Sequence, residues 1–256
     1  MSRRNSRCPV LGDLGVVEDW RGCVEIQRAL LPPPVHRGPF VEAAATTRPC
    51  RALGGDFFDY LDTGRQFRVV LGDVCGKGAP AALQAAVVQG VLATEAEADR
   101  SPAWVLAQIN RALCRRPIPG RFVTVFYGIL TPDHRLVYSN AGHCLPLLVN
   151  QHHVRRLDTG GCPLGLFRTT SFLEESVPVE TGDTLVVFSD GVVEATGRVD
   201  AFDEEFGDAR ILELVRARAS DGATAILERL LAAVGDFTGG KRPGDDMTAV
   251  VVRYLA

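Results

Sequence analysis

The chain has 256 residues, 46% of them hydrophobic and 23% charged, with a formal net charge of −3. That length suits one large domain or two small ones around an ordinary globular core. The acidic balance without a basic stripe argues against nucleic-acid binding, and no apolar run reaches the ~18–20 residues of a membrane helix.

The N-terminal "MSRRNSRCPVLGDLG" is basic but lacks an apolar stretch, so residues 1–15 read as a disordered lead-in rather than a secretory signal. Trp20, Val24, Gln27 and Leu31 then recur at helical spacing, with Cys23 and Leu30 beside them, and Pro32–Pro34 stop the helix. This helix, over 16–31, either packs on the domain or serves as a regulatory, linking or dimerising element. Strand-like runs follow in "FVEAAATT", "DFFDYLD" and "QFRVVLGD", the last two joined by a turn at Gly64.

"GKGAPAALQAAVVQGVLATEA" reads as a buried helix with Pro80 in its first turn. "SPAWVLAQINRALCRR" reads as a second, with Ser101 as N-cap and Pro102 at the first helical position. The strands "RFVTVFYGILT", "RLVYSNAG", "LPLLVNQ", "HVRRLD", "TSFLEESVPV" and "DTLVVFSD" come next. Helices over 208–219 and 223–237 precede a last strand, "MTAVVVRYLA". Long strand runs split by helix pairs argue for an α+β fold: two antiparallel sheets packed face to face with helices outside. The simplest division is a lead-in (1–15), an N-terminal helix (16–34) and one domain (35–256).

The seven cysteines are odd in number and form no CxxC pair, which argues against a disulfide framework or a zinc site and for a reducing cytoplasm.

Acidic residues share one setting, the end or start of an apolar strand beside glycine or another acid. Asp56 follows Gly54–Gly55, Asp73 closes "FRVVLGD", Asp190 closes "TLVVFSD", and Asp245 and Asp246 precede the last strand. Hard divalent cations take oxygen ligands, and carboxylates gathered without a cation repel one another. If the fold collects these acids, the site implies Mg²⁺ or Mn²⁺. Asp59, three positions after Asp56, leaves a strand from the opposite face and reads as structural.

The segments "GGDFFD", "GDVCGKG", "SNAGH", "GGCPLGLF", "FSDGVVEA" and "GDDMTAVVV" occur in the order found in the metal-dependent serine/threonine phosphatases of the PPM, or type-2C, family. The chain most resembles the bacterial SpoIIE/RsbU branch, over 26–255, and "IQRALLPPP" is similar to the helix end that precedes the catalytic domain there. The resemblance implies an α-β-β-α sandwich with two Mn²⁺ or Mg²⁺ ions. Asp73 would bridge them, with the Val74 carbonyl and Asp56 on one side and Asp190 and Asp245 on the other. Asp246 would be a secondary acid, and Gly55 and Gly191 would leave room for close packing. Asp73 and Asp190 are expected to be essential for catalysis.

Where type-2C enzymes of eukaryotes carry a histidine after the bridging acid, this chain has Val74 and Cys75. Arg51 and Lys77 are candidates for meeting substrate phosphate, against solvated alternatives. His143 either takes part in catalysis or orders a loop. The resemblance further implies a phosphorylated STAS-type anti-sigma-factor antagonist as substrate and a cytoplasmic setting. An upstream sensor or a second copy would act through helix 16–31. Two rivals fail on single residues. A diguanylate cyclase needs an acid where Phe57 stands, and a haloacid-dehalogenase-type phosphatase needs one where Phe188 stands. The remaining alternative is a catalytically silent module of the same fold that binds a signalling partner.

Overall fold

The computed structural model describes residues 13–96, 100–199, 202–218 and 221–256. In chain order the elements are α1 (Asp13–Ala29), β1 (Val35–Arg37), β2 (Val41–Arg48), β3 (Phe57–Asp62), β4 (Phe67–Val74), α2 (Ala79–Ala96), α3 (Pro102–Arg115), β5 (Val123–Thr131), β6 (Arg135–Ala141) and β7 (Leu147–Val149). There follow β8 (Val154–Arg156), β9 (Gly160–Gly161), β10 (Glu175–Pro178), β11 (Thr184–Phe188), α4 (Asp190–Val193), β12 (Thr196–Val199), β13 (Phe202–Glu205), α5 (Gly207–Ala217), α6 (Ala223–Phe237) and β14 (Met247–Tyr254).

The strands build two sheets. One runs β1-β2-β14-β11-β7-β8, the other β10-β6-β5-β4-β3, and all these neighbours pair antiparallel. Alternation along each strand decides the layering. In β14, Val250 and Val252 join Phe67, Val69 and Leu71 of β4 in the core between the sheets. Ala249 and Val251 face the other way, onto Ile226, Leu230 and Val234 of α6 and Ile211 and Val215 of α5. Val70 of β4 likewise turns outward to Ala81, Ala85 and Val88 of α2 and Ile109 of α3. Both faces of each sheet are covered, which explains strands that read as unbroken apolar runs. This is the expected α-β-β-α sandwich, with one short parallel contact, β6 with β9.

The structure corrects several sequence-based expectations. Helix α1 starts at Asp13, so residues 13–15 of the expected lead-in are helical, while residues 1–12 lie outside the described part. Ser101 occupies the N-cap position of α3, but its side chain makes no capping hydrogen bond; the Ala103 N–H donates to Glu174 Oε2 at 3.1 Å instead. The hairpin β12–β13 and helix α4 are elements that the sequence pattern did not indicate. No helix among the described residues is long and apolar enough to cross a membrane.

Helix α1 packs only in part. Trp20, Ile26 and Leu30 stay exposed, while Leu31 reaches the core. Its end is tied down by Gln27, whose amide donates to the Gly54 carbonyl at 2.8 Å and accepts from the Gly54 N–H at 3.3 Å.

Asp59 sits on the α2–α3 side of β3, beside Arg68, Leu92 and Tyr127. Burial pushes its carboxyl up to about 6. A carboxyl raised in the folded state above its ordinary value carries a penalty above that pH, and the penalty disappears below the ordinary value. Asp59→Asn is therefore expected to stabilise the protein by about 1–3 kcal/mol at pH 8 and by nothing near pH 4. Urea unfolding at the two pH values checks this; equal shifts at both would contradict it.

Candidate metal centre

Four strand ends meet at one edge of the sandwich. Asp56 directly precedes β3, and Asp73 lies near the end of β4, next to β3 and opposite Thr124 of β5. From the other sheet, Asp190 begins α4 just past β11, and Asp245 lies just before β14, which pairs with β11. A cavity of about 240 Å³ opens there, lined by Asp73, Cys75, Thr124, His143, Asp190 and Asp245. Residues far apart in sequence converge because β11–β14 and β3–β4 both end at this edge.

The acids strain against one another. Burial, then the charge of Asp73, holds the Asp56 carboxyl well above the usual range. Asp73 is pushed up to about 7 by burial and by Asp190, and Asp190 is raised by burial and by Asp245. Asp56 Oδ2 is buried without a hydrogen-bond partner. An all-oxygen donor set, an unpartnered buried carboxylate oxygen and mutual repulsion together fit a hard divalent cation, which would relieve the last two.

Asp246 behaves differently from the acids beside it. It is buried, its Oδ1 accepts the Cys50 N–H at 2.7 Å and its Oδ2 accepts the Gly55 N–H at 2.7 Å. Both oxygens are thus engaged in holding the loop that delivers Asp56. A Cβ on Gly54 would stand 2.6 Å from the same carboxylate. Cys50, Asp245 and Asp246 do bring potential ligand atoms within 4.8 Å of one another, but the two backbone bonds commit Asp246 to the loop.

The glycines have steric reasons. A Cβ on Gly191 would lie 2.1 Å from the Asp246 carbonyl oxygen, and one on Gly55 would lie 2.8 Å from the Val74 carbonyl oxygen. Gly191→Ala must push the Asp245–Asp246 backbone away, and is expected to cost about 1–3 kcal/mol. It should also weaken Mn²⁺ binding. Urea unfolding and Mn²⁺ calorimetry test this; an unchanged variant in both would contradict it.

The remaining candidates separate. Lys77 reaches the site, its Nζ 2.7 Å from Asp245 Oδ2 and 2.6 Å from the Gly244 carbonyl oxygen. Arg51 does not line the acid cavity; it is exposed and lines a neighbouring groove of about 800 Å³ with Trp20, Val24, Lys77 and Gly78. His143 is buried, and burial pushes its ring down to about 4, so it is neutral near pH 7. Its Nδ1 lies 2.9 Å from Thr124 Oγ1, its N–H donates to Asn140 Oδ1 at 2.7 Å, and Asn140 Nδ2 donates back to its carbonyl at 3.2 Å. This geometry favours the loop-ordering reading. Cys75 lines the cavity and Cys144 does too, the latter's thiol pushed up to about 12 by burial and Asp190, so it stays protonated.

The sequence placed Gln27 on the N-terminal helix without showing its bonds to Gly54, and singled out neither Thr124 nor Arg121, whose Nη1 donates to the Cys75 carbonyl at 2.8 Å. Only their contacts across the fold reveal them.

Comparison with known proteins agrees with this architecture. Residues 63–255 match the family model described as Stage II sporulation protein E (SpoIIE). The phosphoserine phosphatase RsbU of Bacillus subtilis is 26% identical over 246 residues, covering 93% of this chain and 72% of RsbU. Among solved structures, the SiaA-PP2C domain of Pseudomonas aeruginosa superposes with a TM-score of 0.81 at 20% identity, covering 95% of this chain and 98% of that one. A Mycobacterium tuberculosis structure of RsbU and RsbW domains gives 0.72 at 28% identity, covering 87% of this chain and 62% of that one.

Proposed function

The chain belongs to the SpoIIE family of metal-dependent serine/threonine phosphatases, and from that premise we propose that it hydrolyses phosphoserine or phosphothreonine on a STAS-type anti-sigma-factor antagonist. The observation that carries the reading is the convergence of Asp56, Asp73, Asp190 and Asp245 at one edge, where the raised carboxyls of Asp56, Asp73 and Asp190 call for a cation. Two Mn²⁺ or Mg²⁺ ions bound there would supply a water of lowered pKa and neutralise charge building on the phosphoryl oxygens.

The chain's own residues hold that centre. Asp56 and the Val74 carbonyl would hold one ion, Asp190 and Asp245 the other, and Asp73 both. Asp246 acts through position, fixing Asp56 by way of Gly55. His143, neutral and held by Thr124 and Asn140, orders the loop over the cavity and is not the general acid. The Cys144 thiol, held protonated by burial and by Asp190, does not serve as nucleophile. The proposed sigma-factor pathway follows the similarity to the phosphoserine phosphatase RsbU and to the Mycobacterium tuberculosis protein that carries RsbU and RsbW domains. It sets the reaction in the cytoplasm.

The division into a helix over 16–34 and a phosphatase domain over 35–256 belongs to the same proposal. The exposed Trp20, Ile26 and Leu30 suit α1 to receive an upstream partner or a second copy, and Gln27 links it to the loop before Asp56. Gln27→Ala is expected to change activity severalfold while leaving the unfolding midpoint within about 1 kcal/mol, the worth of ordinary hydrogen bonds. Unchanged turnover would remove α1 from the account.

The test of function is direct. Incubate the protein with a phosphorylated STAS-domain protein and Mn²⁺, then add chelator. Phosphate release that stops on chelation supports the proposal. Release indifferent to chelator would overturn the metal-dependent mechanism, and no release would overturn the proposal in favour of a silent binding module.

A further inference from the structure

Resting on the metal-centre reading above, we infer that Lys77 is a tethered cation that competes with the divalent ion for the Asp245 carboxylate. It thereby sets the metal concentration at which that side of the centre fills.

The geometry is specific. Lys77 Nζ spends two of its donors on one short stretch, 2.7 Å from Asp245 Oδ2 and 2.6 Å from the Gly244 carbonyl oxygen. An ammonium and a divalent cation held by one carboxylate repel each other at this distance, so the ammonium on Asp245 Oδ2 weakens the hold of a cation on the same group.

The backbone around Lys77 is built to keep its tether fixed. Gly76 and Gly78 flank it with φ of +102° and +74°, a conformation that side-chain-bearing residues rarely adopt. Before Gly76, the Cys75 N–H donates to the Phe122 carbonyl at 3.0 Å, and Arg121 Nη1 donates to the Cys75 carbonyl at 2.8 Å. A Cβ on Gly76 would lie 2.6 Å from that same Arg121 Nη1, so only glycine lets the arginine close over the turn. After Lys77, the Gly78 carbonyl accepts from Ala81 and Ala82 at 3.0 Å each and starts α2. The chain on both sides is pinned, and the flexible part is the lysine side chain itself.

The pair is also releasable. The Lys77 and Asp245 side chains are 35% and 40% exposed, so water can take over either partner. Pairs this exposed shift equilibria only modestly, which suits a competitor that raises a threshold without closing the site. Once displaced, the ammonium remains at the rim of the cavity on the same short tether. None of the other four acids offers this arrangement, because Asp56 is buried, Asp246 is committed to the Cys50 and Gly55 N–H groups, and no lysine or arginine bridge reaches Asp73 or Asp190 among the described ion pairs.

Mn²⁺ calorimetry on the full chain tests this without reference to turnover. Lys77→Met removes the competitor from an exposed position and leaves the core untouched. It is expected to bind Mn²⁺ about three- to fivefold more tightly than the unsubstituted protein. Arg51→Gln removes a charge that lines the same groove but makes no bond to Asp245, and is expected to shift affinity less than twofold. Binding by Lys77→Met alone would be the limit of strong competition and supports the inference. Equal or weaker affinity in Lys77→Met, or an equal gain in Arg51→Gln, would overturn it while leaving the metal centre intact. No Mn²⁺ binding by any of the three proteins would overturn the metal-centre reading and this inference together.

Discussion

Asp73→Asn is expected to abolish Mn²⁺-dependent phosphate release, by roughly 10³-fold or more, and to make the metal-free protein more stable at pH 8. The first effect follows from removing an acid that would hold both ions of the proposed centre, since metal catalysis supplies several kcal/mol of transition-state stabilisation. The second follows from charge. Burial and the neighbouring Asp190 hold the Asp73 carboxyl up to about 7. A carboxyl raised on folding binds protons more tightly in the native state, so stability falls as pH climbs from about 4 through 7. Above 7 the full penalty applies, and a neutral side chain escapes it, a gain of about 2–4 kcal/mol. Urea unfolding with chelator at pH 5 and pH 8, beside a phosphate-release assay, checks both halves. A variant that loses activity and stability together at pH 8 would mean that Asp73 is held by contacts other than its crowded charge.

Asp246→Ala is expected to destabilise the protein by about 2–5 kcal/mol, because two buried N–H groups lose their acceptor at once. Those groups belong to Cys50 and Gly55, so the loop carrying Asp56 loosens and Mn²⁺ affinity falls about 10- to 100-fold, as when a ligand's supporting partner is removed. Asp246→Asn keeps one acceptor oxygen and should fall between the two in both measurements. The ordering separates a positioning acid from a metal ligand. If Asp246→Ala kept its unfolding midpoint and lost only metal affinity, Asp246 would be a ligand after all.

Much of the fold was legible because both sheets are covered on both faces. Residues such as Val250, Val251 and Val252 form one apolar run, since alternate members feed different cores. The acids at strand ends were legible for a related reason. A charged residue beside glycine at the end of a buried strand is conspicuous against such runs, and Asp56, Asp73, Asp190 and Asp245 do meet at one edge.

What escaped was pairwise and long-range. The sequence separation is 196 residues between Cys50 and Asp246 and 191 between Gly55 and Asp246, and nothing local says that the second aspartate of "GDD" braces a loop rather than binds metal. Lys77 and Gly244 are 167 residues apart, so "GKG" alone reads as a helix start open to solvent or phosphate. Arg51 stands close to Gly54 in sequence, yet the loop turns it into the groove beside α1, away from the acids. Helix α4 was hidden because Asp190 both ends a strand run and starts a single helical turn.

The proposed activity depends on the four acids forming a metal centre that hydrolyses phosphoserine or phosphothreonine. The most direct measurement is phosphate release from a phosphorylated STAS-domain protein as Mn²⁺ is titrated, run in parallel on the unsubstituted protein and Asp190→Asn. Saturable, chelator-reversible release in the first and none in the second is the predicted result. Release that persists in Asp190→Asn, or ignores Mn²⁺ in both, would contradict it.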